Sequence, residues 1–128
     1  MMTTEQTHQF IEDYFTAIRR EKSEATLNKY IADPELKTHI ELTEKGLPNY
    51  QLTAIDIIAE GEKVAVRAMA EGVHQGDLFG VPPTGRNVSF EFLIVYEIKN
   101  QKIVDHWLQF DTMNLMQQVG VKPMANME

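Results

Sequence analysis

The last predicted strand carries residue types that suit acid–base chemistry. Side chains alternate along a strand with a period of two, so Trp107 and Asp111 fall on one face of it. A carboxylate that lies among aromatic side chains loses hydration, which raises its pKa towards the range useful for proton transfer at neutral pH. Asp111 is therefore predicted to act as a general base. The alternative is that it caps the helix that begins at Thr112, since aspartate is a preferred N-cap residue.

The four histidines are the next candidates for chemistry. No two of them lie three or four residues apart, so no ligand spacing supports a metal site, and we expect no metal. His39 shares the apolar face of a predicted helix, and His74 is the last residue of a predicted strand. Each is either a hydrogen-bonded structural histidine or a pocket residue. His106 alternates away from Trp107 and, like His8, is expected at the surface or in an interface.

Aromatic residues and one loop complete the predicted pocket. Tyr14 belongs to the apolar stripe of the first helix, where it either packs in the core or turns its hydroxyl to a ligand. Phe92 lies on the apolar face of the longest predicted strand. A loop is predicted over residues 75–86. Residues 80–87 have the glycine spacing of a phosphate-binding loop, but the two prolines lack N–H donors and a strand follows. The loop is interpreted as a flap, with Leu78 and Phe79 placed to cover a pocket.

The spacing of apolar and capping residues predicts the helices and strands that position these candidates. Thr3 and Gln6 have the spacing of a capping box at the start of an amphipathic helix over residues 4–21. Ser23 and Asp33 are placed to cap two more helices. A four-stranded antiparallel meander is predicted next, with strands at about 51–59, 64–74, 88–98 and 103–110, then a short helix at 112–118 and a frayed tail at 121–128.

This order of elements predicts an α+β domain. A curved, mainly antiparallel sheet would wrap the N-terminal helices in its concavity, and the resulting cone is a natural pocket for a small apolar molecule. The 128 residues fit one domain, 1–128, with its core at about 4–120.

Charge and composition narrow the class of partner. Twelve basic residues against nineteen acidic ones give a net charge of −7, which repels a polyanion, so no nucleic-acid binding is expected. No apolar run approaches the roughly 18 residues needed to cross a bilayer, and the first residues have no export pattern. A cytoplasmic protein with no membrane partner is expected. The chain has no cysteine, so histidine and carboxylate must carry any acid–base chemistry.

Several motifs resemble one known family. His74-Gln75-Gly76, residues 80–86, residues 102–107 with Asp111, and residues 118–120 together resemble the SnoaL-like polyketide cyclases. These proteins are also called predicted ester cyclases and belong to the nuclear-transport-factor-2-like superfamily. The resemblance covers about residues 8–120. It implies a cone-shaped α+β barrel without metal or organic cofactor, and a homodimer or higher oligomer formed through the sheet.

The resemblance also implies roles for individual residues. In the family's cyclases an aspartate near the end of the last strand is the acid–base residue of an intramolecular aldol closure, and Asp111 matches that position. His39, His74 and Trp107 match positions that line the family's pocket. An enzyme is therefore favoured, one that performs cofactor-free cyclase, aldol or isomerase chemistry on an apolar carbonyl compound. A non-catalytic binding domain and an oligomeric scaffold with a collapsed pocket remain the alternatives.

Overall fold

Three helices precede a four-stranded sheet, and a short helix follows it. The computed structural model describes residues 2–120 of the chain. The helices among these residues are α1 (Thr4–Arg20), α2 (Glu24–Tyr30), α3 (Pro34–Gly46) and α4 (Thr112–Gln118), and the strands are β1 (Gln51–Glu60), β2 (Lys63–Val73), β3 (Asn87–Lys99) and β4 (Lys102–Phe110). The predicted α+β class and order of elements are confirmed. The predicted tail, 121–128, lies outside the described residues.

The helices begin where their capping residues predict. Thr3 and Gln6 form a complete capping box at α1, with main-chain to side-chain bonds of 2.9 and 3.1 Å. Ser23 accepts a main-chain N–H from the first turn of α2. Asp33 caps α3, whose first residue is Pro34. Each helix therefore begins at a residue whose side chain replaces a missing hydrogen-bond partner.

The strands form one antiparallel sheet in the order β1-β2-β3-β4. The sheet is curved and does not close, and its concave face packs against α1. The apolar faces of β2 and β3 come together there because Val66 pairs with Ile94 and Ala68 with Phe92. The largest fully buried side chains on α1 are Tyr14, Ile11 and Ile18. No helix within residues 2–120 is long and apolar enough to span a membrane.

A β-bulge in β4 decides which of its side chains face the core. Glu97 of β3 pairs with Asp105, but the next residue, Ile98, pairs with Ile103. Val104 is therefore an extra residue in β4. A bulge of this kind shifts the alternation of side chains along the strand.

The bulge places the two sides of β4 opposite to the sequence prediction. Ile103 and His106 are both buried although they lie three residues apart. Trp107, which was predicted to face inward, exposes 49% of its surface on the other side of the sheet. The prediction of a surface position for His106 is also wrong, since only 7% of it is exposed. Simple alternation could not identify the inner face because both sides of β4 carry aromatic residues.

The segment between α2 and α3 docks against β4. Ile31 forms a parallel bridge with Ile103. The N–H groups of Ala32 and Asp33 both donate to the carbonyl oxygen of Ile103, at 2.8 and 3.1 Å. This docking brings the cap of α3 next to the inner side of β4.

Candidate active site

A cavity of about 160 Å³ lies between the helices and the inner face of the sheet. The inward face of α3 contributes residues at helical spacing, among them His39 and Thr43, and the loop after β2 contributes Phe79. The remaining walls come from α1, the α3–β1 connection and all four strands. Seven aromatic side chains line the cavity: Tyr14, Tyr50, Phe79, Phe90, Phe92, Tyr96 and Phe110.

His39 connects this cavity to a buried pair of polar residues. Its Nδ1 lies 3.4 Å from Nε2 of His106, and the two rings meet edge to face with centroids 5.2 Å apart. Nδ1 of His106 in turn lies 2.7 Å from Oδ2 of Asp33. The side chains of His106 and Asp33 are only 3% and 8% exposed. Asp33, His106 and His39 thus form a chain of hydrogen bonds that leads from a buried carboxylate to the cavity.

The carboxylate of Asp33 is held in its charged form. Burial acts to raise the pKa of Asp33, but hydrogen bonds from His106 and from the N–H groups of Leu36 and Glu35 outweigh it, and the pKa is lowered. The two N–H groups donate to Oδ1, at 3.3 and 2.9 Å, which leaves Oδ2 for the histidine. A charged Asp33 requires that Nδ1 of His106 carries the proton.

This assignment sets the tautomer of the second histidine when the pair of imidazoles is neutral. With its proton on Nδ1, a neutral His106 accepts at Nε2, and Nδ1 of His39 is then the donor between the two rings. Nε2 of His39 then carries a free electron pair. Its imidazole has no other hydrogen-bond partner within residues 2–120. A neutral imidazole in this state can accept a proton from a bound molecule.

Buried phenols supply hydrogen-bond donors on another wall of the cavity. The rings of Tyr14 and Tyr96 lie 5.9 Å apart, and both residues are at most 2% exposed. The pKa values of Tyr14, Tyr50 and Tyr96 are raised, mainly because burial removes water from their hydroxyl groups. These phenols therefore stay protonated at neutral pH and can donate hydrogen bonds to a developing negative charge.

The predicted site residues divide into two groups. Tyr14, His39 and Phe92 line the cavity, as does the flap residue Phe79. Their contact with a substrate stays a prediction. Leu78, the other predicted flap residue, is fully buried and is not among the lining side chains.

His74 forms hydrogen bonds within the loop after β2 and does not line the cavity. Its ring is fully buried, with Nδ1 2.9 Å from the hydroxyl of Thr84 and Nε2 3.2 Å from the carbonyl oxygen of Val81. The N–H of Thr84 also donates to Nδ1, at 3.3 Å. These bonds fix the loop that carries Phe79. His74 is not among the side chains that line the cavity.

Asp111 and Trp107 also lie away from the cavity. One carboxylate oxygen of Asp111 accepts the N–H of Asn114 at 2.9 Å, and the residue is an exposed N-cap of α4. Trp107 lies on the outer side of the sheet, with Nζ of Lys63 5.3 Å from its ring centroid. The predicted inward orientation of the indole and the acid is therefore wrong. A catalytic role for Asp111 stays a prediction without support from this geometry.

One cluster in the described part of the chain has the spacing of metal ligands. Asp33, Asp105 and His106 each place one ligand atom within 4.8 Å of the others. Asp33 and His106 already share a hydrogen bond, and Asp105 accepts the N–H of His106 at 2.8 Å. A cation would have to displace these bonds. The cluster is better explained as a hydrogen-bonded network than as a metal centre.

Comparison with known proteins identifies the family. The family model described as SnoaL-like polyketide cyclase matches residues 4–119. No curated protein sequence matches the chain at a significant level.

Solved structures share the fold over nearly the whole chain. IdmH from Streptomyces antibioticus, a candidate polyketide cyclase, is 27% identical, with 91% of this chain and 99% of that one covered and a TM-score of 0.73. AclR from Streptomyces galilaeus, a candidate hydroxylase, is 22% identical, with 98% and 89% covered and a TM-score of 0.79. A candidate SnoaL-like polyketide cyclase from Jannaschia sp. is 14% identical, with 96% and 97% covered and a TM-score of 0.81.

Proposed function

Because the chain belongs to the SnoaL-like polyketide cyclase family, we propose that it is a cofactor-independent enzyme for acid–base chemistry, of the cyclase, aldol or isomerase type, on a small apolar carbonyl compound. The observation that carries the proposal is the contact of His39, which lines the cavity, with the buried Asp33–His106 pair. The description of IdmH as a candidate polyketide cyclase supports the same class of reaction.

In the proposed reaction, Nε2 of His39 removes a proton from a carbon that is flanked by carbonyl groups. The electron pair of the C–H bond moves into a carbonyl and gives an enolate. In an aldol closure the enolate carbon bonds to a second carbonyl carbon, and the new alkoxide takes the proton back from His39. In an isomerisation the proton returns to a different atom of the enolate. Neither route consumes an oxidant, a reductant or a second substrate.

Asp33 and His106 position the base and stabilise its charge. Their hydrogen bonds hold His39 in the tautomer whose Nε2 can accept a proton. When His39 becomes a cation, the charge of Asp33 stabilises it through the intervening imidazole. The phenols of Tyr14 and Tyr96 are the proposed donors to the enolate oxygen, since their raised pKa values keep them protonated.

Asp111 is the alternative base, at the position to which the family resemblance points. Its carboxylate is exposed and already caps α4. Asp111 is also not among the side chains that line the cavity, whereas His39 is. His39 is therefore the preferred assignment, and Asp111 provides the matched control.

Proton transfer can be measured without knowledge of the natural substrate. Ethyl 2-methylacetoacetate is a small open-chain probe with one hydrogen between two carbonyls, and its deuterium uptake in D2O is followed by NMR. We expect His39→Gln to lower the protein-catalysed rate by about 100-fold, within the range of a general base. Asp111→Asn, which keeps a capping side chain, should retain the rate of the unaltered protein.

If Asp111→Asn lost the catalysed exchange and His39→Gln retained it, the base would be Asp111. An unaltered protein that exchanges no faster than His39→Gln would contradict the enzymatic proposal and favour a binding domain. Circular dichroism of both variants provides the check that each one is folded.

A homodimer through the outer face of the sheet is part of the same proposal. Ile58, Leu93 and Trp107 are 71%, 56% and 49% exposed. Exposed apolar side chains on one sheet face favour association. Analytical ultracentrifugation should give a dimer for the unaltered chain and a monomer for Trp107→Asp, whereas equal masses for the two would contradict this interface.

A further inference from the structure

We propose, on the basis of the proposed function, that the substrate is a neutral carbonyl compound with a single six-membered ring, and that the cavity excludes fused multi-ring compounds and carboxylates. Three properties of the cavity lead to this class of compound: its volume, its lack of lining charges and the arrangement of its aromatic walls.

The volume limits the substrate to one ring. The cavity measures about 160 Å³. An apolar cavity of about 150 Å³ in another protein stays dry and binds benzene. A six-membered ring therefore nearly fills the cavity of this chain. A second fused ring would extend beyond this volume.

The lining carries no charge that could balance an anion. Among residues 2–120, the side chains that line the cavity include no lysine, arginine, aspartate or glutamate. Lys22 is engaged next to the cavity wall, where its Nζ donates to the carbonyl oxygen of Tyr50 and lies 3.7 Å from Glu44. The charged Asp33 lies behind His39 and repels a second negative charge. Beside the neutral form of His39, a carboxylate would enter without an ionic partner, which is unfavourable in an apolar site.

The aromatic walls fit a flat ring. Phe79, Phe90, Phe92 and Phe110 form a continuous cluster, the phenylalanine wall, with centroid separations of 5.5 to 6.3 Å. Offset and edge-to-face contacts with another ring are favourable at such distances. The polar groups, His39 and the buried phenols, lie outside this wall. A ring can therefore pack on the phenylalanines while its carbonyl substituent meets the imidazole or a phenol.

The mouth of the cavity sets where a substituent can extend. Phe79 and Leu42 both line the cavity and are 51% and 48% exposed. They mark the side that is open to solvent. A flexible substituent on the ring can leave the cavity there, so the size limit applies to the ring system.

A binding panel of matched compounds tests the proposed class. Acetophenone is the neutral one-ring probe, benzoate is its charged counterpart, and 2-acetylanthracene carries the same acetyl group on three fused rings. Dissociation constants come from isothermal titration calorimetry at pH 7. We expect acetophenone to bind at least tenfold more tightly than either of the others.

Two neighbouring residues of β3 provide a matched pair of variants. Phe92→Ala removes one ring from the phenylalanine wall, and we expect it to improve binding of 2-acetylanthracene relative to acetophenone. Leu93→Ala alters an exposed side chain on the other face of the same strand. It should leave the order of the three dissociation constants unchanged. Thermal unfolding establishes that both variants are folded.

The panel separates this inference from the proposed function. Equal or tighter binding of benzoate or 2-acetylanthracene to the unaltered protein would overturn the substrate class, as would no binding of acetophenone. Deuterium exchange of the open-chain probe does not depend on ring size. Exchange without the predicted binding order therefore rejects only the substrate class, and the binding order without exchange rejects only the catalytic proposal.

Discussion

The two sides of β4 carry similar residue types but have different surroundings. On the inner side, His106 is buried and bonded to Asp33 and His39. On the outer side, Trp107 is half exposed beside Lys63. Asp111, just beyond the end of the strand, is exposed and caps a helix. Only the inner side combines a titratable group with a charged partner and contact with the cavity.

The difference shows what a polar side chain needs in order to perform proton transfer. An acid near an aromatic residue in the sequence is not desolvated unless both face the core. His106 gains its chemical environment from a segment 73 residues earlier in the chain. The docking of that segment on Ile103, not the composition of β4, creates the site.

The largest effect is expected on the inner side, from His106→Gln. We expect catalysed exchange of ethyl 2-methylacetoacetate to fall about 10-fold to 100-fold, because His39 loses the partner that orients it. The loss should appear in kcat and leave KM nearly unchanged, because His39 itself still lines the cavity. A loss confined to KM would contradict a positioning role for His106.

A second test concerns the stability that Asp33 provides. Asp33→Asn removes a hydrogen bond to a charged group, and we expect a loss of about 2 kcal/mol in the free energy of unfolding at pH 7. The folded-state pKa of Asp33 is lowered, so its contribution is present above the unfolded-state value of about 3.9 and is lost as the pH falls through the folded-state value. In urea denaturation, the free energies of unfolding of the unaltered protein and of Asp33→Asn should therefore become equal at low pH. A difference that is independent of pH would contradict this assignment.

The outer end of β4 should show the smallest effect. Asp111→Ala removes the cap of α4, which costs about 1 kcal/mol in the free energy of unfolding. Exchange of the open-chain probe should remain at the rate of the unaltered protein. A large loss of exchange in a folded Asp111→Ala protein would instead restore Asp111 as the base and overturn the contrast between the two sides.

Much of the fold could be predicted from local patterns. The capping residues Thr3, Ser23 and Asp33 mark helix starts because they act on their own first turn. The change from a helical period to a period of two located the sheet. Tyr14 and Phe92 could be placed at the cavity because each shares an apolar stripe on a regular element.

The hydrogen-bonded chain behind the cavity could not be predicted in the same way. The sequence indicates Asp33 only as the cap of a helix, and the cap uses only one of its carboxylate oxygens. The partner of the other oxygen is set by tertiary docking. For His106, a histidine between Asp105 and Trp107 gives no local sign of burial, and the extra Val104 breaks the alternation on which a strand prediction relies.

The bulge at Val104 has a consequence for how related chains should be compared. Deletion of this single residue would leave Ile103 and His106 two positions apart, so ordinary alternation would keep both side chains on the buried side without a bulge. Loss of the bulge without that deletion would instead place Trp107 on the side of Ile103 and turn His106 outward, so that His39 would lose its positioning partner. Register, rather than length, of this strand is therefore the property to compare among members of the family.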